Sequence, residues 1–112
     1  MSIQSPPKNL IVVNLPSKEP QIANELESLN KIVGDNPDSD VIIDFSSVEI
    51  ITSSSLSNLM ILRNLLHKSG RRLILCNVAV VTKCIFNVAG LDEIFEFAND
   101  KPTAVAAVHS TD

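Results

Sequence analysis

Two rhythms of hydrophobic and polar positions alternate along the chain. Ile22, Leu26, Leu29 and Val33 recur at spacings of four, three and four, the signature of one buried helix face. From Ser54 to Ser69 the same rhythm returns, with Leu59, Leu62 and Leu66 as the apolar stripe. A third stretch, Ala79 to Ala89, puts Val81, Ile85 and Val88 on one side. Each stretch runs up to one of the three glycines, Gly34, Gly70 and Gly90, where a left-handed C-terminal cap wants such a residue. A helix stop is therefore expected at each, and Pro20 suits the first turn of the first helix.

Between the helical stretches lie short runs rich in β-branched residues: Leu10 to Leu15, Val41 to Phe45, Leu73 to Cys76 and Ile94 to Phe97. Val41-Ile42-Ile43 and Leu73-Ile74-Leu75 are continuously apolar, as strands covered on both faces are. Strands alternating with helices imply right-handed crossovers onto a mainly parallel or mixed sheet, an α/β class. Thr103 to Val108 is rich in Ala and Val and admits a last helix or a strand. At 112 residues a single domain over 1–112 is expected, with residues 1–9 as a short flexible segment or an edge strand.

Composition narrows the function classes. A net charge of −4 and the absence of Trp and Tyr argue against a nucleic-acid partner. No apolar run reaches the 18 or so residues that cross a bilayer, and Met1 to Lys8 has adjacent prolines and no apolar secretory core. A cytoplasmic protein without membrane insertion is expected. Cys76 and Cys84 sit among apolar neighbours without C-x-x-C spacing, so reduced thiols are expected. His67 and His109 lie far in sequence from each other and from both cysteines, which leaves no metal-ligand spacing. With the glycines committed to helix ends, no phosphate-binding loop remains, and no serine has the flanking glycines of a nucleophile elbow. No enzyme activity, cofactor or metal is expected. Asp44, followed by Ser46 and Ser47, suits an Asx-type turn. Lys68, Arg71 and Arg72 fit a solvated helix end.

Thr52-Ser53-Ser54-Ser55, just before the second helix, is the unusual feature. N-capping accounts for one hydroxyl. A phosphate added there would meet the positive end of the helix dipole and free N–H donors, so capping and a phosphorylation switch are both open readings. On the helical wheel Ser54, Ser57, Ile61, Asn64 and Lys68 share a side opposite the leucine stripe. Ile61 is the misfit, beside Asn58 and Leu65, and a docking surface at Ser57, Asn58 and Ile61 stands against chance exposure.

The stretches VIIDFSSVEIITSSSL at 41–56, SGRRLILCNV at 69–78 and VTKCIFNVAGLDEIFEF at 81–97 together resemble a STAS domain of the anti-sigma factor antagonist (anti-anti-sigma factor) family. The likeness runs from about residue 10 to 108 and rests on the order of an apolar strand ending in Asp, a loop, and an Asp-Ser-Ser-Gly-like helix start. A strand, a helix and a Gly-Leu follow. The resemblance implies a STAS-like (SpoIIAA-like) fold, a mixed sheet of four or five strands with helices mainly on one face. It further implies phosphorylation at Ser54, with Ser53, Ser55 and Thr52 as alternatives, by an anti-sigma factor with serine kinase activity, and reversal by a phosphatase. The same resemblance also allows an accessory subunit of a lipid-trafficking ABC-type transporter, with a structural, unphosphorylated hydroxyl. Thr52 stands where the family has Asp, Ser55 where it has Gly, and Leu15-Pro16-Ser17-Lys18 where it has a Gly-containing segment.

Overall fold

The computed structural model describes residues 9–109, so the expectation for the first residues lies outside it except at Asn9. Strand and helix alternate without exception: β1 (Leu10–Asn14), α1 (Gln21–Asp35), β2 (Asp40–Asp44), α2 (Ser53–Lys68), β3 (Leu73–Cys76), α3 (Val80–Val88), β4 (Glu96–Ala98) and α4 (Lys101–His109). The four strands lie in the order β1-β2-β3-β4. Each strand pairs in parallel with its neighbour, with Val12 opposite Ile42, Ile42 opposite Ile74 and Ile74 opposite Glu96. The expected α/β class stands. Among the described residues the sheet is parallel rather than mixed, because every crossover there carries a helix that returns the chain to the same end.

Strand residues alternate between two cores. Val41, Ile43, Leu73 and Leu75 point to the larger one, where they meet Ile22, Leu26, Leu29 and Val33 of α1, Leu59, Leu62 and Leu66 of α2, and Phe86 of α3. Ile42, Ile74 and Cys76 point the other way, onto Ala104 and Val108 of α4. β2 and β3 are thus buried along their whole length, as their unbroken apolar runs require. Three helices serve one face and one helix the other. Small residues on α4 let it lie close to the sheet, and Asp100 caps it by accepting the Thr103 N–H at 2.9 Å.

Three expectations are corrected. α1 ends near Gly34 as expected, at Asp35, but Gly34 is a helical residue and not a left-handed cap; among the glycines positive φ belongs to Gly70 (70°) and Gly90 (74°) only. In α3 the side that carries Val81 and Val88 faces solvent, and Thr82 and Phe86 face the core. The last strand starts later than expected, at Glu96, since the backbone of Ile94 and Phe95 still folds back onto the Leu91 carbonyl. Residues 103–108 belong to a helix.

Candidate functional site

The carboxyl ends of β1 and β2 present two loops side by side, residues 15–20 and 45–52. Asp44 anchors the second. Its Oδ1 accepts the Ser46 N–H at 2.8 Å, the expected Asx turn, and the Asn77 amide at 3.1 Å. Lys101 at the start of α4 lies 3.4 Å from its Oδ2 and also donates to Asn14 Oδ1 at 3.1 Å. Burial would raise the Asp44 carboxyl, but the bonds from Ser46, Asn77 and Lys101 outweigh it and hold the group below its ordinary value. Farther on, the Glu49 N–H donates to the Ser17 carbonyl at 3.0 Å and ties the two loops together. Buried Ile51 then plants the chain in the core, and extended Thr52 starts α2.

The four hydroxyls differ in environment. Glu19, in the first loop, reaches across to the start of α2. Its Oε2 accepts the Thr52 N–H at 3.1 Å, the Thr52 hydroxyl at 2.8 Å and a short bond from the Ser55 hydroxyl, while its Oε1 accepts the Ala23 N–H at 3.0 Å in α1. Burial acts to raise this carboxyl, yet the bonds from Ser55, Thr52 and Ala23 prevail and hold it below its ordinary value. Ser55 is fully buried. Thr52 is the N-cap, with the Ser55 N–H 3.5 Å from its hydroxyl oxygen. Ser53 and Ser54, in the first turn, are exposed, and their hydroxyls make no hydrogen bond to any described residue.

This network bears on two of the three departures from the pattern of the family the sequence resembles, those at Thr52 and Ser55. The carboxylate missing at Thr52 is supplied by Glu19, and the hydroxyl added at Ser55 is bound by that same carboxylate. Glu19 escapes sequence reasoning because it lies 33 residues from Thr52 and 36 from Ser55, with no local pattern linking them.

From this end the outer side of α2 continues as expected. Ser54, Ser57, Ile61, Asn64 and Lys68 are all exposed, opposite buried Leu59, Leu62 and Leu66. Ile61 is 49% exposed. Asn58 is turned toward α1, where Asn30 donates to its carbonyl at 3.1 Å and its Oδ1 at 3.4 Å. Of the three residues named for docking, Ser57 and Ile61 thus face outward, and Asn58 sits on the seam between helices. Ile50, two residues before Thr52, is a second exposed apolar side chain at this end.

Among the described residues no group of three or more His, Cys, Asp or Glu could hold a metal ion, and no helix is long and apolar enough to cross a membrane. Cys76 is buried and Cys84 exposed, both as free thiols.

The STAS domain family model matches residues 20–104. No curated protein matches the chain by sequence. Among solved structures, an anti-sigma-factor antagonist (STAS) domain protein from Planctomyces limnophilus is 22% identical, with a TM-score of 0.72 over 88% of this chain and 89% of that one. RsbS of Moorella thermoacetica, in a serine-to-glutamate form, is 16% identical, with a TM-score of 0.78 over 91% of this chain and 89% of its own. The Bacillus cell fate determinant SpoIIAA in its phosphorylated form is also 16% identical, with a TM-score of 0.70 over 96% and 97%. At these identities the likenesses carry the fold.

Proposed function

The chain belongs to the STAS domain family, and on that premise we propose that it is a cytoplasmic regulatory module of the anti-sigma factor antagonist kind, switched by reversible phosphorylation of Ser54. The observation that carries this reading is the division of the hydroxyl cluster: Thr52 and Ser55 are held by Glu19, whereas Ser53 and Ser54 stand exposed and unbonded in the first turn of α2, and of these two Ser54 shares its side of the helix with Ser57 and Ile61. A phosphate on Ser54 meets the unsatisfied N–H groups and positive dipole of the helix start, so the domain itself tolerates it. A partner packed over Ser57, Asn58 and Ile61 does not, because a group carrying about −1.5 to −2 charges must be desolvated in the interface. The partner in this reading is an anti-sigma factor with serine kinase activity, and a phosphatase restores the binding form.

The second reading is an accessory subunit of an ABC-type, lipid-trafficking transporter, with an ATPase subunit as partner. Its supporting observation is that the Thr52 and Ser55 hydroxyls already have structural work in the Glu19 network.

Affinity capture from the native cell extract separates the two: a kinase-type anti-sigma factor supports the first reading, an ATPase with its permease the second. Ile61→Asp is expected to weaken capture of the kinase by about 1 kcal/mol or more while leaving circular dichroism unchanged. Equal affinity for the variant and the parent moves the interface off α2.

A further inference from the structure

Every arginine of the chain lines one cavity. Arg63, Arg71 and Arg72, with His67, surround a space of about 190 Å³ floored by Leu73, Ile94 and Phe95, at the end of α2 away from its serines. In a chain with a net charge of −4 this gathering is local rather than a reflection of overall basicity. Arg72 is neutralised there: it forms a fork with Glu96 and donates to the Ala107 carbonyl at 2.6 Å. Glu96 is the only carboxylate among the described lining residues, so nothing is left for the other two guanidinium groups. Arg63 meets only the neutral Asn64 side chain, at 3.3 Å, and the Arg71 guanidinium has no partner among the described residues.

Charge at a helix carboxyl end usually complements the dipole, which suffices for His67 and Lys68 in the last turn. It does not suffice for the arginines. The terminal carbonyls of Leu66 and His67 are already taken by the Ser69, Gly70 and Arg71 N–H groups, and Arg63 sits a full turn before the end. Two half-buried guanidinium groups without a counter-charge, over an apolar floor, form a receptor for a small oxyanion of two or more charges. The volume is below the roughly 300 Å³ at which pockets for drug-sized ligands begin, and it suits a phosphate or diphosphate group.

We propose that this cavity binds a phosphate group, either free or as the end group of a small organic phosphate, and that Arg63 and Arg71 are its ligands. The site is independent of phosphorylation at Ser54, because it lies at the opposite end of α2.

The test is a nitrogen-15 NMR titration of the whole chain with inorganic phosphate, pyrophosphate and butyl phosphate, at constant ionic strength. Saturable shifts confined to the amides and arginine side chains around 63, 67, 71 and 95 are expected. Arg63→Gln and Arg71→Gln should each weaken binding tenfold or more, whereas Lys31→Gln on α1, outside the cavity, should leave it unchanged. Tighter binding of butyl phosphate than of inorganic phosphate assigns the site to an organic ester that uses the floor, and the reverse order assigns it to the free anion. Non-saturable shifts, equal losses in Lys31→Gln, or shifts centred on residues 53–55 overturn the proposal. So does binding of an acidic peptide at these arginines with no response to any of the phosphates.

Discussion

Glu19 is the residue on which the candidate site turns. One carboxylate accepts from α1 at Ala23 and from α2 at Thr52 and Ser55, so it fixes the first loop, the first helix and the hydroxyl cluster to one another. Loss of these charge-assisted bonds in Glu19→Ala is expected to cost about 1–3 kcal/mol, read as a lower urea midpoint at pH 7. The sign of the pH effect follows from the depressed folded value. Glu19 stays charged in the folded state below its ordinary value of 4.5, so its contribution is complete above that pH and disappears as pH falls through the folded value. Asp44 behaves in the same sense from its ordinary value of 3.8. The gap between the parent and Glu19→Gln should therefore narrow from pH 7 to pH 3. A constant gap over that range would remove Glu19 from the acid limb of stability.

At the scale of the element, the glycines separate two kinds of helix ending. Gly70 takes φ of 70° beyond α2, where a Cβ meets no atom within 4 Å, so the cost of Ala there is purely conformational, about 1 kcal/mol. Gly34 lies inside α1, also with free space at its Cβ, and Ala there is expected to stabilise by up to about 1 kcal/mol. Thermal melts of the two variants should move in opposite directions; a fall for both would mean that Gly34 also takes a left-handed φ. The same contrast marks how far the chain could be read from sequence. α2 was legible because its stripe persists for 16 residues and polar residues fill the other side. α3 was not: it has nine residues, mostly apolar, so Val81-Ile85-Val88 and Thr82-Phe86 both fit a helical face, and packing against the other phenylalanines decides for Phe86. The helix end near Gly34 was legible but its cap was not, because glycine at a helix end carries no sign of its φ.

At the scale of the whole molecule, two features hold the parallel sheet between its unequal layers. On the larger face all four phenylalanines meet around Phe86, whose ring lies edge-on to Phe45, Phe95 and Phe97 at centroid distances of 6.3, 5.4 and 5.5 Å. Phe86→Ala removes the shared partner and is expected to cost about 3–5 kcal/mol in urea unfolding, a large part of the stability of a small domain. A cost below about 1 kcal/mol would mean that α3 is only loosely joined to the core. On the other face, Lys101 fastens the start of α4 to Asn14 and Asp44, and Arg72 fastens its end at the Ala107 carbonyl. These long-range ties, like that of Glu19, join residues many positions apart and leave no local trace in the sequence. The order of strand, hydroxyl cluster and helix was legible, whereas the bonds that separate Thr52 and Ser55 from the free Ser53 and Ser54 hydroxyls emerge only when the two loops are brought together.

The central claim is that Ser54 is the residue modified, and phosphosite mapping tests it most directly. The chain and its Ser54→Ala, Ser53→Ala and Ser55→Ala variants would be incubated with the kinase recovered from the native extract and ATP, then digested and examined by mass spectrometry. Phosphate on the parent, Ser53→Ala and Ser55→Ala proteins, and none on Ser54→Ala, is the expected result. Undiminished phosphate on Ser54→Ala would contradict the assignment, and no phosphate on any of the four proteins would contradict the switch itself.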